Sequence, residues 1–317
     1  MPAVSIIVPV YNVEQYIARC AASLFGQTLE DIEYIFIDDC TPDASMDVVM
    51  RVLEDYPARR NSVKCFRMPV NSGQAAVRMK GLGMATGEYI AWCDSDDEIE
   101  AETCRKMYGK AAAENLDIVT CDILKEEGPG RWRTIIGECS GVAALLRGTA
   151  PCNLVCRLIR RSLFSGVIPP AGDVGEDMML TIQATLKAGT SGHISEAFYK
   201  YYYRESSISK VPGPDAAIRR TKALEANVDT VLGLLARSYG YSGKEPEAVA
   251  FKYYGRHCIE PFVGERRCYR LWRSLWPEID KVLLFTPGIT LEKKFWFILI
   301  HIRLYPAVKR ITGKLLR

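Results

Sequence analysis

The chain is predicted to be an α/β protein, a mostly parallel sheet with helices on both faces, continued by a helical C-terminal region. Three observations within residues 1–100 carry this expectation. Apolar runs at 5–10, 34–37 and 89–93 lack the strict alternation of a half-exposed strand, as strands buried on both faces do. Segments of helical spacing separate the runs, and parallel neighbours need such crossovers. Polar clusters then follow the runs at 9–12, 38–39 and 94–97, on the strand ends where open α/β sheets bind ligands.

Composition is that of an ordinary globular protein, with 48% hydrophobic and 25% charged residues in 317. That length suits two domains, or one with an appendage. The net charge of +3 is unevenly spread: −8 over residues 1–100, +2 over 101–211 and +9 over 212–317. Those three segments are the expected divisions of the chain, the last facing a different partner from the first. The 11 cysteines are odd in number and without CxxC spacing, and the N-terminus runs straight into an apolar strand. A reduced, cytoplasmic setting without a secretory leader is therefore expected. The three histidines, His193, His257 and His301, lie far apart and give no zinc signature. No apolar stretch reaches the length of a membrane span.

Residues 5–10 form the first expected strand, with Tyr11 and Asn12 as turn residues. Ile17, Cys20, Ala21 and Leu24 then keep helical spacing over 13–25. The second strand, 34–37, ends in Asp38 and Asp39, and a helix follows to about residue 56. A weaker strand covers 63–68. Asn71, Ser72 and Gly73 open a helix over 74–85, with Arg78 one turn in. Amides at a helix start bind phosphate, and a guanidinium can add to the contact. The glycine pattern there is neither GxGxxG nor a Walker loop, so a dinucleotide dehydrogenase and a P-loop NTPase are not supported.

The central strand, 89–93, delivers Asp94, Ser95, Asp96, Asp97 and Glu98 at its end. Carboxylates so crowded raise one another's proton affinity. A divalent cation would relieve the repulsion, and oxygen ligands suit magnesium or manganese. The plainer alternative is that they only favour the start of a helix near residue 101.

Together these residues carry a family resemblance. Residues 5–12 (Ser-Ile-Ile-Val-Pro-Val-Tyr-Asn), Ile37-Asp38-Asp39, Asn71-Ser72-Gly73, Arg78 and residues 85–97 (Ala-Thr-Gly-Glu-Tyr-Ile-Ala-Trp-Cys-Asp-Ser-Asp-Asp) resemble the GT-A glycosyltransferases of family 2, in order and at the family's spacing. The resemblance implies a GT-A, Rossmann-like fold, a nucleotide-sugar donor and inversion at the anomeric carbon. It also implies a divalent metal, Mn2+ or Mg2+, on Asp94-Ser95-Asp96. By resemblance Pro9, Tyr11 and Asp39 hold nucleobase and ribose, with Asp39 accepting from a base N–H as suits uracil and a UDP-sugar. Asn12, Asn71, Gly73, Arg78 and Ser95 complete the donor site. Asp94 lies near ribose and sugar, and Asp96 ligates the metal. One departure is Val77-Arg78-Met79, where the family usually shows Ala-Arg-Asn.

Further on, a helix is expected over 101–114, a strand over 117–122 and a polar turn over 125–133. Cys156-Arg157-Leu158 stands where the family often has Asn-Lys-Leu. A Gly- and Pro-rich loop, 169–175, precedes Glu176 and Asp177 at a helix start, where the helix field favours ionised acids. The resemblance makes Asp177 the base that takes the acceptor hydroxyl's proton. The acids could instead be favourable first-turn charges alone. The aromatic stretch 198–204 reads as a sheet edge, with Arg204 able to approach a diphosphate.

Residues 215–239 and 246–263 have helical periodicity beyond a Pro-Gly-Pro boundary at 212–214. Arginines and aromatics interleave over 265–276 without any nucleic-acid-binding motif, so no nucleic-acid partner is expected. Residues 293–317 place a run of six apolar residues, 295–300, among clustered cations. They are expected either to touch the anionic inner face of the cytoplasmic membrane or to pack on their own domain. The expected acceptor is a cell-surface polysaccharide or lipid-linked glycan. A sugar-nucleotidyltransferase and an inactive nucleotide-sugar-binding protein are the alternatives.

Overall fold

The computed structural model describes residues 1–138, 141–204 and 213–315, with side chains to residue 310. Two compact units are present among them. One takes in the described residues of 1–142 and 150–205, the other those of 143–149 and 206–317.

The first unit begins as a repeated strand–helix alternation: β1 (Val4–Val10), α1 (Ile17–Phe25), β2 (Ile32–Asp38), α2 (Ser45–Glu54), β3 (Val63–Arg67), α3 (Gln74–Met84) and β4 (Tyr89–Trp92). It continues with β5 (Glu98–Ile99), α4 (Thr103–Glu114), β6 (Ile118–Gly128) and β7 (Arg131–Ile135). After α5 (Val142–Arg147), which apart from Val142 belongs to the second unit, come β8 (Arg157–Arg160), α6 (Glu176–Lys187) and β9 (Ser191–Tyr201). The second unit holds α7 (Pro214–Tyr239), α8 (Pro246–Gly255), α9 (Arg266–Ser274), α10 (Leu291–His301) and α11 (Tyr305–Leu315).

One sheet contains all nine strands, in the order β3-β2-β1-β4-β8-β6-β9-β5, with β7 paired to β6. The expected parallel sheet is its first half, where β1 pairs in parallel with β2 and β4, and β2 with β3. The second half is mixed. β8 runs antiparallel to β4 and β6, β5 antiparallel to β9, and β6 parallel to β9.

The unbroken apolar runs have a direct cause. Ile6, Val8, Tyr34, Phe36 and Tyr89 enter a core with Ile17, Leu24, Val49 and Met107 on one face. Ile7, Ile35, Ile37, Ile90 and Trp92 enter another with Val77, Phe164 and Leu180 on the opposite face. Alternate residues of each strand point to opposite faces, so both sets must be apolar. β3, at the sheet's edge, is largely exposed, which is why its pattern reads weakly.

Four expectations need correction. α1 starts at Ile17 rather than residue 13, because Thr41 and Ser45 side chains hold the amides of Asn12 and Val13 in a turn. Residues 125–133 are mostly strand: β6 and β7 form a hairpin, and the turn is confined to its tip, where Glu126 accepts the Gly130 amide. The helix expected over 246–263 stops at Gly255, and buried Arg256 turns to the Leu275 and Trp276 carbonyls and Asp280. Finally, the acids after β4 do not cap a helix. α4 begins at Thr103 with no acid in its first turn, and β5 lies between.

Candidate functional site

The strand register gathers the polar clusters on one edge of the sheet. Pro9 lies beside Ile37 and Val10 beside Asp38, while the Cys93 amide donates to the Ile7 carbonyl. Tyr11 and Asn12 are exposed just beyond β1, and Asn71 is exposed in the loop after β3. Asp39 is buried, and its two oxygens accept the amides of Ser72 (2.7 Å) and Gly73 (2.9 Å). Its neighbour Asp38 is spent structurally, on the Thr41 amide and the Arg67 guanidinium.

Gly73 sits at the start of α3 with φ +84°, a conformation that favours glycine. A Cβ there would come within 2.5 Å of the Asp173 carboxylate. That carboxylate accepts the Ala75 amide at 2.9 Å, so the loop before α6 caps α3 from 98 residues away.

Arg78, buried on α3, links two parts of the chain. One Nη donates to Asp94 Oδ1 at 2.8 Å and the other to Glu176 Oε1 at 2.5 Å. Its Nε has no partner among the described residues. Sequence reading placed Arg78 toward phosphate and Glu176 merely beside Asp177; the ion pairs between them carry no local signal. Asp177 lies next to this chain of charges, with Oδ1 accepting the Met178 amide at 2.7 Å.

Burial raises the proton affinity of all three acids. For Asp94, Arg78 opposes the rise and Asp96 adds to it. Glu176 is pushed up to about 8, by burial first and then by Asp177, against the pull of Arg78. Asp177 is raised by burial, with Arg78 and the Met178 amide pulling it back.

The rest of the acidic motif divides by role. Ser95 is buried. Asp97 is buried too and serves the frame: it accepts the Tyr199 hydroxyl (2.7 Å) and the Tyr202 amide (2.9 Å). Tyr199 in turn accepts the Asp94 amide. β9 is not the sheet edge expected of 198–204, because β6 and β5 pair with it on either side. Asp96 Oδ2 pairs with Arg204 at 2.6 Å, and its carbonyl accepts Arg19 Nη2, a residue the sequence reading passed over.

The family resemblance implies a divalent metal at these donors. Among the described residues no three His, Cys, Asp or Glu side chains are placed to hold one. Asp94 and Asp96 nevertheless each keep an oxygen outside the ion pairs just described. Two carboxylates completed by substrate phosphates are a common magnesium set, so the donors fit.

Comparison with known proteins assigns the class. Residues 5–166 match the family described as Glycosyl transferase family 2, about half of the chain. The chain belongs to that family. EpsH of Bacillus subtilis (strain 168), provisionally named a glycosyltransferase, is 33% identical over 223 residues, covering 65% of this chain and 62% of EpsH. The poly(ribitol-phosphate) beta-glucosyltransferase of Bacillus spizizenii is 32% identical over 207 residues, covering 63% of this chain and 32% of that protein. The chain thus spans less than two thirds of the length of either relative. S. aureus TarS 1–349, solved in complex with UDP-GlcNAc, has a TM-score of 0.62 at 19% identity, covering 98% of this chain and 92% of that one. At that identity the likeness shows the GT-A fold.

Proposed function

We propose that the chain transfers a sugar from a UDP-sugar to a hydroxyl of a cell-surface polysaccharide or lipid-linked glycan, with inversion at the anomeric carbon. The observation that carries this reading is the Asp94–Arg78–Glu176 link. It ties the acids at the end of β4, which this reading gives to the nucleotide, to the acidic start of α6, to which it gives the base. The complex of TarS with UDP-GlcNAc and the named activity of the Bacillus spizizenii relative support the donor and acceptor classes.

In this reading Pro9, Tyr11, Asn12, Asn71 and Gly73 frame the nucleoside. Asp39, which accepts one amide on each oxygen, takes a uracil N–H as well. Asp177 removes the acceptor hydroxyl's proton while the oxygen attacks C1 and the bond from C1 to the diphosphate breaks. Its burial-raised proton affinity suits a base better than an ordinary carboxylate would. Glu176, fixed by Arg78, is a positioning residue. Asp94 and Asp96 would hold magnesium or manganese, which when bound supplies positive charge to the departing diphosphate.

The test is Asp177→Asn, which keeps size and removes the base. Donor affinity by calorimetry should stay within about twofold while turnover falls by roughly 10²–10⁴-fold. Retained turnover moves the role elsewhere. NMR of the first-formed product should show inverted anomeric configuration, and retention would contradict a single displacement.

A further inference from the structure

Helix α10 has two apolar faces, and its own unit uses one. Phe297, Leu299 and Ile300 are buried in the core of the second unit. Leu291, Phe295, Ile298 and the following Ile302 are exposed, by 84, 52, 41 and 56%. At 3.6 residues per turn these four positions fall within roughly 60° of arc and make one stripe. The segment ahead of the helix exposes Val282, Leu284 and Phe285 as well. Grouped apolar surface of this kind marks an interaction site.

Charge identifies the occupant. Residues 281–317 contain eight Lys and Arg and a single acid, Glu292. Lys281, Arg303 and Arg310 are exposed and Lys294 is half-exposed. A second copy of the chain would set these cations against their own kind, which is costly. An anionic lipid surface accepts both features, with apolar side chains and rings among the headgroups and cations on the phosphates. An 11-residue helix is much too short to cross a bilayer. Among the described residues no helix is long and apolar enough to do so.

We propose that α10 lies in the interface of an anionic bilayer through Leu291, Phe295, Ile298 and Ile302, with Lys281, Lys294, Arg303 and Arg310 on lipid phosphates. This goes beyond the proposed function and does not depend on the donor or the base. The run over 295–300 is then divided between core and membrane. The experiment is flotation of the full chain with vesicles of phosphatidylcholine alone or mixed with phosphatidylglycerol, at low and high salt.

Binding should need the anionic lipid and be lost in high salt. Each cation near the surface multiplies partition by about fivefold, so Lys294→Ala with Arg303→Ala should weaken it about thirtyfold. Phe295→Ser with Ile298→Ser should abolish it. Both pairs lie outside the core. The Phe295/Ile298 pair should melt with the parent chain, and the Lys294/Arg303 pair only slightly below it, by the lost stacking of Arg303 on Tyr269. No flotation at low salt overturns the proposal. So does flotation unchanged by the Phe295/Ile298 pair, or a dimer that dissociates with that pair and never floats.

Discussion

Arg78 is where the charges of the candidate site balance. A single buried guanidinium faces Asp94 and Glu176 directly, with Asp177 close enough to raise the proton affinity of Glu176. Removing one partner of a buried charge set leaves the others uncompensated. Arg78→Met should therefore cost about 3–5 kcal/mol in urea unfolding. Arg78→Lys should recover only part of it, because an ammonium on a flexible stem does not reproduce a rigid fork. An unchanged unfolding midpoint would mean that the acids simply protonate. Two further substitutions separate donor contacts. Asp96→Asn should lose the manganese-dependent part of UDP-sugar binding by calorimetry, and equal affinities would remove Asp96 from the metal. Asp39→Ala should weaken UDP far more than inorganic diphosphate, whereas equal losses would move Asp39 away from the base.

The start of α3 is assembled from three separate segments. Asp39 after β2 holds the Ser72 and Gly73 amides, and Asp173 before α6 holds that of Ala75. Gly73→Ala meets both a positive φ and the Asp173 carboxylate. The backbone alone should cost about 1 kcal/mol, and the close approach adds to it. Asp173→Ala should lose a cap, about 1 kcal/mol. In the double variant the two losses should sum to more than is observed, because the second substitution removes the clash caused by the first. Strict additivity in chemical denaturation would show that the loop carries Asp173 away without cost.

Stability of the whole molecule should fall at both ends of the pH range, for opposite reasons. Burial works to raise Glu33, but Lys64, Ser5 and Thr86 outweigh it and hold the carboxylate at about 2. Its folded value lies below its ordinary one of 4.5, so its stabilisation is present above that pH and is lost as pH falls toward 2. The contribution is about 3 kcal/mol at neutral pH. Asp43, also near 2 through Ser45 and Thr41, acts in the same direction. Glu176 is the reverse. Its folded value, about 8, exceeds the ordinary 4.5, so the favoured proton stabilises below 4.5 and that stabilisation is lost as pH rises through 8. Taken together these shifts put the maximum of the melting temperature at about pH 4.5. Glu33→Gln should flatten the acid side and Glu176→Gln the alkaline side. A profile unaffected by either substitution would place the titrating groups elsewhere.

The half of the sheet that presents the polar clusters was legible in the chain. Buried parallel strands announce themselves locally, by apolar runs such as 34–37, and the strand ends follow from where those runs stop. The acids after β4 and the Glu176-Asp177 start of α6 could be placed on their elements for the same reason. Other features depend on partners far away in sequence. The antiparallel pairing of β8 with β4 and β6 joins segments whose own residues do not specify direction. Arg78 meets Glu176, and Ala75 meets Asp173, each across 98 residues. The proton affinities of Asp94, Glu176 and Asp177 are set first by burial, which no short stretch of sequence encodes. Local pattern determines which segments become strands and helices; the buried charge balance exists only once those segments have packed against one another.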